Sequence, residues 1–239
     1  MTDVTTQTPA IIAMDGPAGS GKSSVSKEVA RRIGFGYLDT GAAYRALAWQ
    51  ALQTERDTSD ATSVLEVASD FPFSISLDPD AFWVKVGDTE VTEAIREPRV
   101  SDAVSGVARV ALVRRAMNAM FRSLVADSGL RGVIIEGRDI TTVVAPDAPV
   151  RILLSADPVV RAARRSAELT SLDTAAVAVA MQRRDASDAQ VVDFLEAAPG
   201  VIPIDSTDLD FEQTVDAVLE VVTDILNIAA PAASTEPEA

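Results

Sequence analysis

Short apolar runs alternate along this chain with longer segments whose apolar residues recur at helical spacing. Four of the runs are candidate buried strands: AIIAM (10–14), GVIIE (132–136), VRILLS (150–155) and GVIPI (200–204). Four of the longer segments have the spacing of amphipathic helices: KSSVSKEVARRI (22–33), AAYRALAWQAL (42–52), PVVRAARRSAEL (158–169) and FEQTVDAVLEVVTDIL (211–226). This alternation predicts an α/β fold in which a parallel sheet is flanked by crossover helices.

The stretch from Phe71 to Val91 departs from this rhythm. Its sequence, FPFSISLDPDAFWVKVGDTEV, alternates apolar and polar residues in two runs separated by DPDA, and a Gly-Asp turn follows. We therefore expect a small antiparallel sheet inserted into the α/β domain. The pattern leaves two interpretations open: a surface insertion with no part in the chemistry, and a substrate-binding lobe that moves.

Composition limits the chemistry available to the chain. Its 239 residues are 47% hydrophobic, which is ample for a buried core, and they include neither cysteine nor histidine. Thiol and imidazole chemistry are thereby excluded, so carboxylates, hydroxyls, amines or bound phosphates must carry any proton or metal. The net charge of −15 argues against a nucleic-acid partner, because a nucleic acid needs a basic surface.

The two ends of the chain and its hydropathy bear on its location. Residues 1–9 are polar and residues 229–239 are rich in alanine and proline, so we expect both ends to be disordered. No segment carries eighteen uninterrupted apolar residues, and the start MTDVTTQTPA has no signal-peptide pattern. These features predict a cytoplasmic protein with no membrane partner.

A glycine-rich segment follows the first predicted strand and precedes the first predicted helix. DGPAGSGKSS (15–24) fits G-x-x-x-x-G-K-[ST], a loop whose backbone N–H groups turn inward around a polyphosphate. The strand-loop-helix context favours this interpretation over a glycine-rich turn with an accidental lysine. Lys22 would reach the β- and γ-phosphates of ATP, and the Ser23 hydroxyl would ligate Mg²⁺. The predicted ATP-binding residues are Gly16, Pro17, Ala18, Gly19, Ser20, Gly21, Lys22, Ser23 and Ser24.

The loop alone leaves the reaction open, because GTPase switches, motor ATPases and small-molecule kinases all use it. The chain has no N-K-x-D tetrapeptide, which is typical of guanine-binding switches. Its apolar run VIIEGRD ends in a single glutamate followed by an arginine, where a motor ATPase would carry a pair of acids. Phosphoryl transfer to a small acceptor is the reaction that remains.

Four motifs together resemble those of the bacterial cytidylate kinases, the nucleoside monophosphate kinases that phosphorylate CMP and dCMP. They are DGPAGSGKSS (15–24), YLDTGAAYRA (37–46), EGRDITTVVAPDAP (136–149) and QRRDASD (182–188). The resemblance spans about residues 10–226, and adenylate and thymidylate kinases lack the second and third motifs. It implies a kinase domain at 10–228 with a parallel five-stranded core. It also implies a monophosphate-binding lobe at about 40–127 with a three-stranded antiparallel insert at about 71–93, and a helical lid at about 157–187.

The resemblance also implies which residues hold the acceptor. In the second motif Arg45 would clamp the acceptor phosphate, while Thr40 and Tyr44 would line the site. In the third motif Arg138 would grip the same phosphate, and Asp139 would accept a hydrogen bond from the cytosine amino group. Glu136 would hold the waters of Mg²⁺. Without the resemblance, this acid-arginine pair could equally be a buried salt bridge, and Arg45 could be an exposed arginine on an amphipathic helix.

Ser105 and Arg114 align with base-recognition positions of the family. A small shift of register would give the role of Arg114 to Arg109 or Arg115, and solvated arginines on a long helix are the competing interpretation.

Arg184 and Asp188 align with an arginine and an aspartate that contact the ribose and the phosphate of the acceptor. Family members usually carry another arginine three residues after that aspartate, where this chain has Val191. One acceptor contact is therefore missing or supplied from elsewhere.

The predicted lid helix carries Arg161, Arg164 and Arg165 on a shared face, where they would surround the transferring phosphoryl group. We expect at least one to act as an arginine finger and one to be merely solvated. A nucleoside monophosphate brings its own anionic oxygen, so the reaction needs alignment and charge neutralisation rather than a strong base.

The sequence therefore predicts a monomeric ATP-dependent CMP/dCMP kinase that uses Mg²⁺. A kinase for UMP or another small acceptor would share most of these residues. A nucleotide-dependent binding protein that has lost transfer activity is the alternative from a different class, and intact Lys22, Arg45, Arg138 and Asp139 argue against it.

Overall fold

A computed structural model describes residues 8–168 and 174–229 of the chain. The predicted disordered ends lie mostly outside these ranges, as do residues 169–173 of the predicted lid. The strands of the described residues are β1 (Ala10–Asp15), β2 (Gly36–Asp39), β3 (Phe73–Ile75), β4 (Val84–Val86), β5 (Thr89–Glu90), β6 (Gly132–Gly137), β7 (Val150–Ser155) and β8 (Ile202–Asp205). The α-helices are α1 (Lys22–Ile33), α2 (Thr40–Gln53), α3 (Ala61–Ser69), α4 (Pro98–Ala108), α5 (Ala111–Ala126), α6 (Pro158–Glu168), α7 (Thr174–Ala189) and α8 (Phe211–Leu226). A 3₁₀ turn spans Ala94–Arg96, and a π-helical turn spans Ile140–Val144.

The main sheet has five parallel strands in the order β2-β6-β1-β7-β8, which confirms the predicted α/β fold. Side chains along its strands alternate between two cores, as a sheet covered on both faces requires. Ile12 and Met14 of β1 pack in the core on the α1 and α8 side, whereas Ala13 packs in the core on the α2, α4 and α5 side. Because β1 lies between β6 and β7 in the strand order, it is the central strand, and the loop that follows it begins in the middle of the sheet.

All four apolar runs form strands, but the sequence pattern did not single out β2. Its four residues, GYLD, are too short to stand out as an apolar run, and they become a strand by pairing with β6. Asp39 ends the strand and caps α2, accepting a hydrogen bond from the Ala42 amide at 2.7 Å. The segment that carries Ser105 and Arg114, for which a long helix with solvated arginines is the competing interpretation, is divided between α4 and α5.

The predicted antiparallel insert is confirmed as the sheet β3-β4-β5. Its tip is docked on the main sheet, because the Tyr37 amide donates to the Leu77 carbonyl at 2.8 Å and Phe82 packs against both hydrophobic cores. Arg31 of α1 also pairs with Asp80 at 2.5 Å. In this structure the insert is thus held against the core of the domain.

Candidate active site

A cavity of about 640 Å³ lies where the carboxyl ends of the central strands meet α1, α2, α5 and α7. The end of the glycine-rich loop with the start of α1, the start of α2 and the residues that follow β6 form one part of its lining. Most of the rest comes from α4, from single arginines of α5 and α6, and from the end of α7. Parallel sheets of this kind bind ligands at the carboxyl ends of their strands. The cavity is therefore the candidate site.

The glycine-rich loop occupies residues 16–21 between β1 and α1, as its sequence predicts. The first turn of α1 brings Lys22, Ser23 and Ser24 to the cavity wall, together with Ala18, Gly19 and Gly21 from the loop. The helix amino end carries backbone N–H groups and a positive dipole end, which suit a phosphate. Gly16, Pro17 and Ser20, also predicted to bind ATP, are not among the residues that line the cavity.

Lys22 is held in an unfavourable electrostatic environment. Its ammonium group lies 3.4 Å from the carbonyl oxygen of Pro17, and burial together with the nearby Arg138 lowers its pKa to about 8. An anionic ligand at this position would reverse that effect, because it would offset both the burial and the neighbouring positive charge.

Glu136, at the end of β6, is only 2% exposed and faces the same loop. The Tyr37 hydroxyl donates to its Oε1 at 2.5 Å, whereas its Oε2 has no hydrogen-bond partner. Burial, with Asp39 nearby, raises the pKa of this carboxyl, while Lys22 and Ser23 act against the rise. A buried carboxylate oxygen without a partner, beside a serine hydroxyl, fits a hydrated divalent cation.

The start of α2 supplies the predicted acceptor residues. Arg45 donates to Asp39 Oδ2 at 3.0 Å, and its Nε is buried without a partner. The Thr40 hydroxyl donates to the Glu136 carbonyl at 2.7 Å, and Tyr44 lines the cavity. Burial raises the pKa of Tyr44, so it stays a neutral phenol.

Arg114 and Asp139 form one unit at the far end of the cavity. The Arg114 guanidinium donates to Asp139 Oδ2 at 2.6 Å and to the Val191 carbonyl at 3.4 Å. Ser105 and Val191 line the same part of the cavity, but neither Arg109 nor Arg115 does. Of the three arginines considered from the sequence, the structure thus brings Arg114 to the site.

Arg138 lies between the loop and α7. It donates to the Gly16 carbonyl, to Asp188 at 3.0 Å and to Asp185 at 3.3 Å, and it stacks 4.5 Å from the centre of the Phe194 ring. Arg184 lies beside it on α7, with burial and Arg138 lowering its pKa to about 10. The cavity therefore concentrates positive charge where phosphates are expected.

The three arginines of α6 occupy different places. Arg165 lines the cavity. Arg161 is buried behind the loop, where it donates to the Ala18 carbonyl at 2.8 Å and to Asp185 at 2.6 Å. Arg164 points away from the cavity and donates to the Ser206 and Leu209 carbonyls at 2.7 and 3.0 Å.

Several residues near the site have no role assigned from the sequence. Lys27 and Arg96 line the cavity, Tyr37 holds Glu136, and Asp185 contacts the loop and two arginines. Asp185 lies inside one of the motifs, QRRDASD, but its partners are distant in sequence. Nothing local in the sequence indicates such a contact.

A family profile and several similar proteins of known name agree on one family. The cytidylate kinase family profile matches residues 12–224. A protein of Cutibacterium acnes named cytidylate kinase is 45% identical over 216 residues, covering 90% of this chain and 96% of that protein. Proteins of the same name from Streptomyces avermitilis and Streptomyces griseus are 41% and 38% identical, covering 89% and 91% of this chain and 92% and 94% of those proteins. Among the described residues, no helix has the length and apolar character needed to cross a membrane.

Proposed function

This chain belongs to the cytidylate kinase family, and from that membership and the cavity we propose how its residues divide the work of the reaction. The protein transfers the γ-phosphate of ATP to CMP or dCMP, giving ADP and CDP or dCDP. What remains to be assigned is the role of each side chain.

On the donor side, the loop and the amino end of α1 hold the phosphates of ATP through backbone N–H groups. Lys22 neutralises the β- and γ-phosphates, and its ammonium lies at the loop, within 3.4 Å of the Pro17 carbonyl. Ser23 and Glu136 would hold Mg²⁺, the latter through water, and the fit rests on the unpartnered Oε2 of Glu136. The metal, when bound, would neutralise phosphate charge.

On the acceptor side, Arg45, Arg138 and Arg184 hold the monophosphate, and Asp188 contacts the ribose. Arg45 and Arg138 are paired with carboxylates in the absence of substrate, so the acceptor phosphate must compete with Asp39 and Asp188 for them. Guanidinium groups suit this exchange, because carboxylate and phosphate offer them similar bidentate geometry. Thr40, Tyr44 and Ser105 also line the acceptor side of the cavity.

Asp139 reads the cytosine by accepting a hydrogen bond from its amino group. Arg114 holds this carboxylate through one oxygen, at 2.6 Å, which leaves the other for the base. This pairing fixes the side chain before the substrate arrives, and a fixed acceptor discriminates more strongly than a mobile one.

Among the arginines of α6, Arg165 is the arginine finger. It is the one that lines the cavity, whereas Arg161 supports the loop from behind and Arg164 holds the segment that precedes α8. The acceptor oxygen is already anionic, so these positive groups serve to align the two phosphates and to stabilise the charge of the transition state.

The observation that carries this division of roles is the convergence of the loop, Arg138 and Asp139 on one cavity. Release of ADP should be measured with CMP, dCMP, UMP, AMP and no acceptor. We expect rapid release with CMP and dCMP and slow release otherwise. Equal release with and without acceptor would mean ATP hydrolysis, and equal use of UMP would contradict the role given to Asp139.

A further inference from the structure

Asp185 on α7 ties together the glycine-rich loop and two arginines. It is only 8% exposed, and its Oδ1 accepts a hydrogen bond from the Ala18 amide at 3.2 Å. Arg138 donates to the same oxygen at 3.3 Å, and Arg161 donates to Oδ2 at 2.6 Å. One carboxylate therefore accepts hydrogen bonds from three separate parts of the fold.

The same two arginines also hold the loop directly. Arg161 donates to the Ala18 carbonyl at 2.8 Å, and Arg138 donates to the Gly16 carbonyl. Each arginine thus bridges a loop carbonyl and Asp185, so a largely buried network holds the loop. Because every member of the network has several partners, its geometry is more strongly fixed than any single pair would be.

Packing at the loop supports this clamp independently of charge. A Cβ placed on Gly19 would lie 2.7 Å from the carbonyl oxygen of Arg161 and 2.7 Å from the methyl carbon of Met181. The loop is therefore in direct contact with the backbone of α6 and a side chain of α7. Movement of either helix would therefore displace the loop.

We propose that Asp185 is a positioning residue, which fixes Arg138 relative to the glycine-rich loop so that the donor and acceptor phosphates meet in line. The inference rests on the proposed role of Arg138 on the acceptor phosphate. Asp185 itself reaches neither nucleotide, because its carboxylate is occupied by the loop and the two arginines. Its contribution is orientation, to which rates of phosphoryl transfer are very sensitive.

The test is Asp185→Asn, which keeps the size of the side chain and removes its charge. We expect kcat with ATP and CMP to fall about 10²-fold, the loss expected from a small misplacement of reacting groups. The Kd for ADP, measured by calorimetry, should stay within about threefold, because an asparagine oxygen can still accept from the Ala18 amide and Lys22 is untouched. Glu66→Gln, which breaks a surface ion pair with Arg56, is the matched control and should change neither value.

With the single variant, either of two results would overturn the proposal. One is a kcat within about threefold of the wild type, and the other is a parallel loss of kcat and ADP affinity, which indicates a loop that is merely disordered. In an Arg138→Ala background the same Asp185→Asn change should cost less than about threefold, because both changes act through one guanidinium. Fully additive losses would show that Asp185 does not act through Arg138.

The outcomes also separate this inference from the proposed roles of the substrate-binding residues. Normal turnover of Arg138→Ala would refute the acceptor role of Arg138, whatever Asp185 does. If Asp185→Asn is too unstable to purify, Arg161→Met with Asp185→Leu removes the buried pair together and leaves neither charge of the pair unmatched. A folded double variant that is about 10²-fold slower supports the proposal, and one with normal turnover refutes it.

Discussion

At the scale of single residues, Lys22 is placed where a phosphate would bind, and this position lowers the stability of the folded protein. Its pKa is about 8 when folded, against an ordinary value of 10.5, chiefly because burial disfavours the charged form. Between about pH 8 and 10.5 the unfolded chain holds a proton on Lys22 that the folded protein lacks. The Lys22 contribution to the free energy of unfolding therefore increases with pH across this window.

Lys22→Met should consequently separate stability from activity. Removing this half-buried charge should raise the Tm at pH 7 by about 3 °C, while turnover should fall about 10³-fold or more because the phosphates lose their main protein cation. Calorimetric scans from pH 7 to 10 would show the difference in stability between variant and wild type shrinking as pH rises. A less stable variant with near-normal turnover would contradict both expectations.

Asp139 carries the prediction about base choice. UMP presents a carbonyl oxygen where CMP presents an amino group, so it would face the carboxylate with no proton between them. A site built for a donor can reject an analogue lacking it by about 10⁴ or more. Asp139→Asn should remove much of this preference, because an amide can offer a donor or an acceptor.

The measurement is kcat/KM for CMP and UMP in the wild type and in Asp139→Asn. Arg115→Ala serves as a control for loss of charge on α5, since Arg115 does not line the cavity, and it should leave the ratio unchanged. An unchanged CMP/UMP ratio in Asp139→Asn would show that another group reads the base.

Residues of the candidate site were predictable where the chemistry is local in sequence. The glycine-rich loop, Arg45 and Asp139 each lie in a short motif whose residues fold together. The ion pairs of Asp185 with Arg138 and Arg161 were not predictable, because they join α6, α7 and the residues after β6. The separate position of Arg164 has the same cause, since its partners lie beyond β8.

At the scale of elements, the glycine-rich loop depends on how closely α6 and α7 approach it. Gly19 and Gly34 have similar positive φ angles, +72° and +68°, so alanine at either position has a similar backbone cost. They differ in surroundings: a methyl group added to Gly34, after the end of α1, would have nothing within 4 Å, whereas Gly19 is tightly enclosed. The pair therefore separates backbone strain from displacement of the two helices.

Gly34→Ala should cost about 1 kcal/mol of stability and leave kcat unchanged. Gly19→Ala should cost more, and its turnover should fall at least about tenfold, because the loop must move away from Arg161 and Met181. Urea denaturation and steady-state kinetics of both variants are sufficient. Equal effects of the two substitutions would mean that the close packing at Gly19 has no role.

Element prediction succeeded where burial alone decides the structure and failed where partners decide it. Runs such as VRILLS are apolar enough to be strands in any parallel sheet. The strand β2 has no such run, and only its pairing with β6 makes it one. The docking of the insert is likewise invisible in its alternating pattern, because it depends on Phe82 reaching Tyr37, with ring centres 5.9 Å apart.

At the scale of the whole molecule, the cavity has one wall from the core of the sheet and others from α2, α4, α5 and α7. A ligand that occupies both the donor and the acceptor parts of the cavity should therefore stabilise the folded protein more than either nucleotide alone. An adenosine and a cytidine linked through five phosphates is such a ligand. A ligand at 100 times its Kd adds about 2.7 kcal/mol to the free energy of unfolding, and the Tm should rise accordingly.

The comparison is thermal unfolding with ADP, with CMP, and with the linked compound at equal concentration. We expect the linked compound to raise the Tm most, because joining two binding groups makes the second binding event intramolecular. The same compound with two adenosines is the control, and it should be weaker because Asp139 meets no cytosine. Equal shifts from the linked compound and ADP would indicate that the two halves are not one site.

The central place of β1 has a consequence for the order of events during synthesis. Among the described strands of the main sheet this one is synthesised before the others, and its two neighbours begin at Gly132 and Val150. At ordinary elongation speeds, on the order of ten seconds pass before either neighbour exists. The nascent chain must therefore keep an apolar strand from aggregating until most of its length has emerged. ATP cannot stabilise the nascent chain during that interval, because the glycine-rich loop does not have its binding conformation until the sheet has formed.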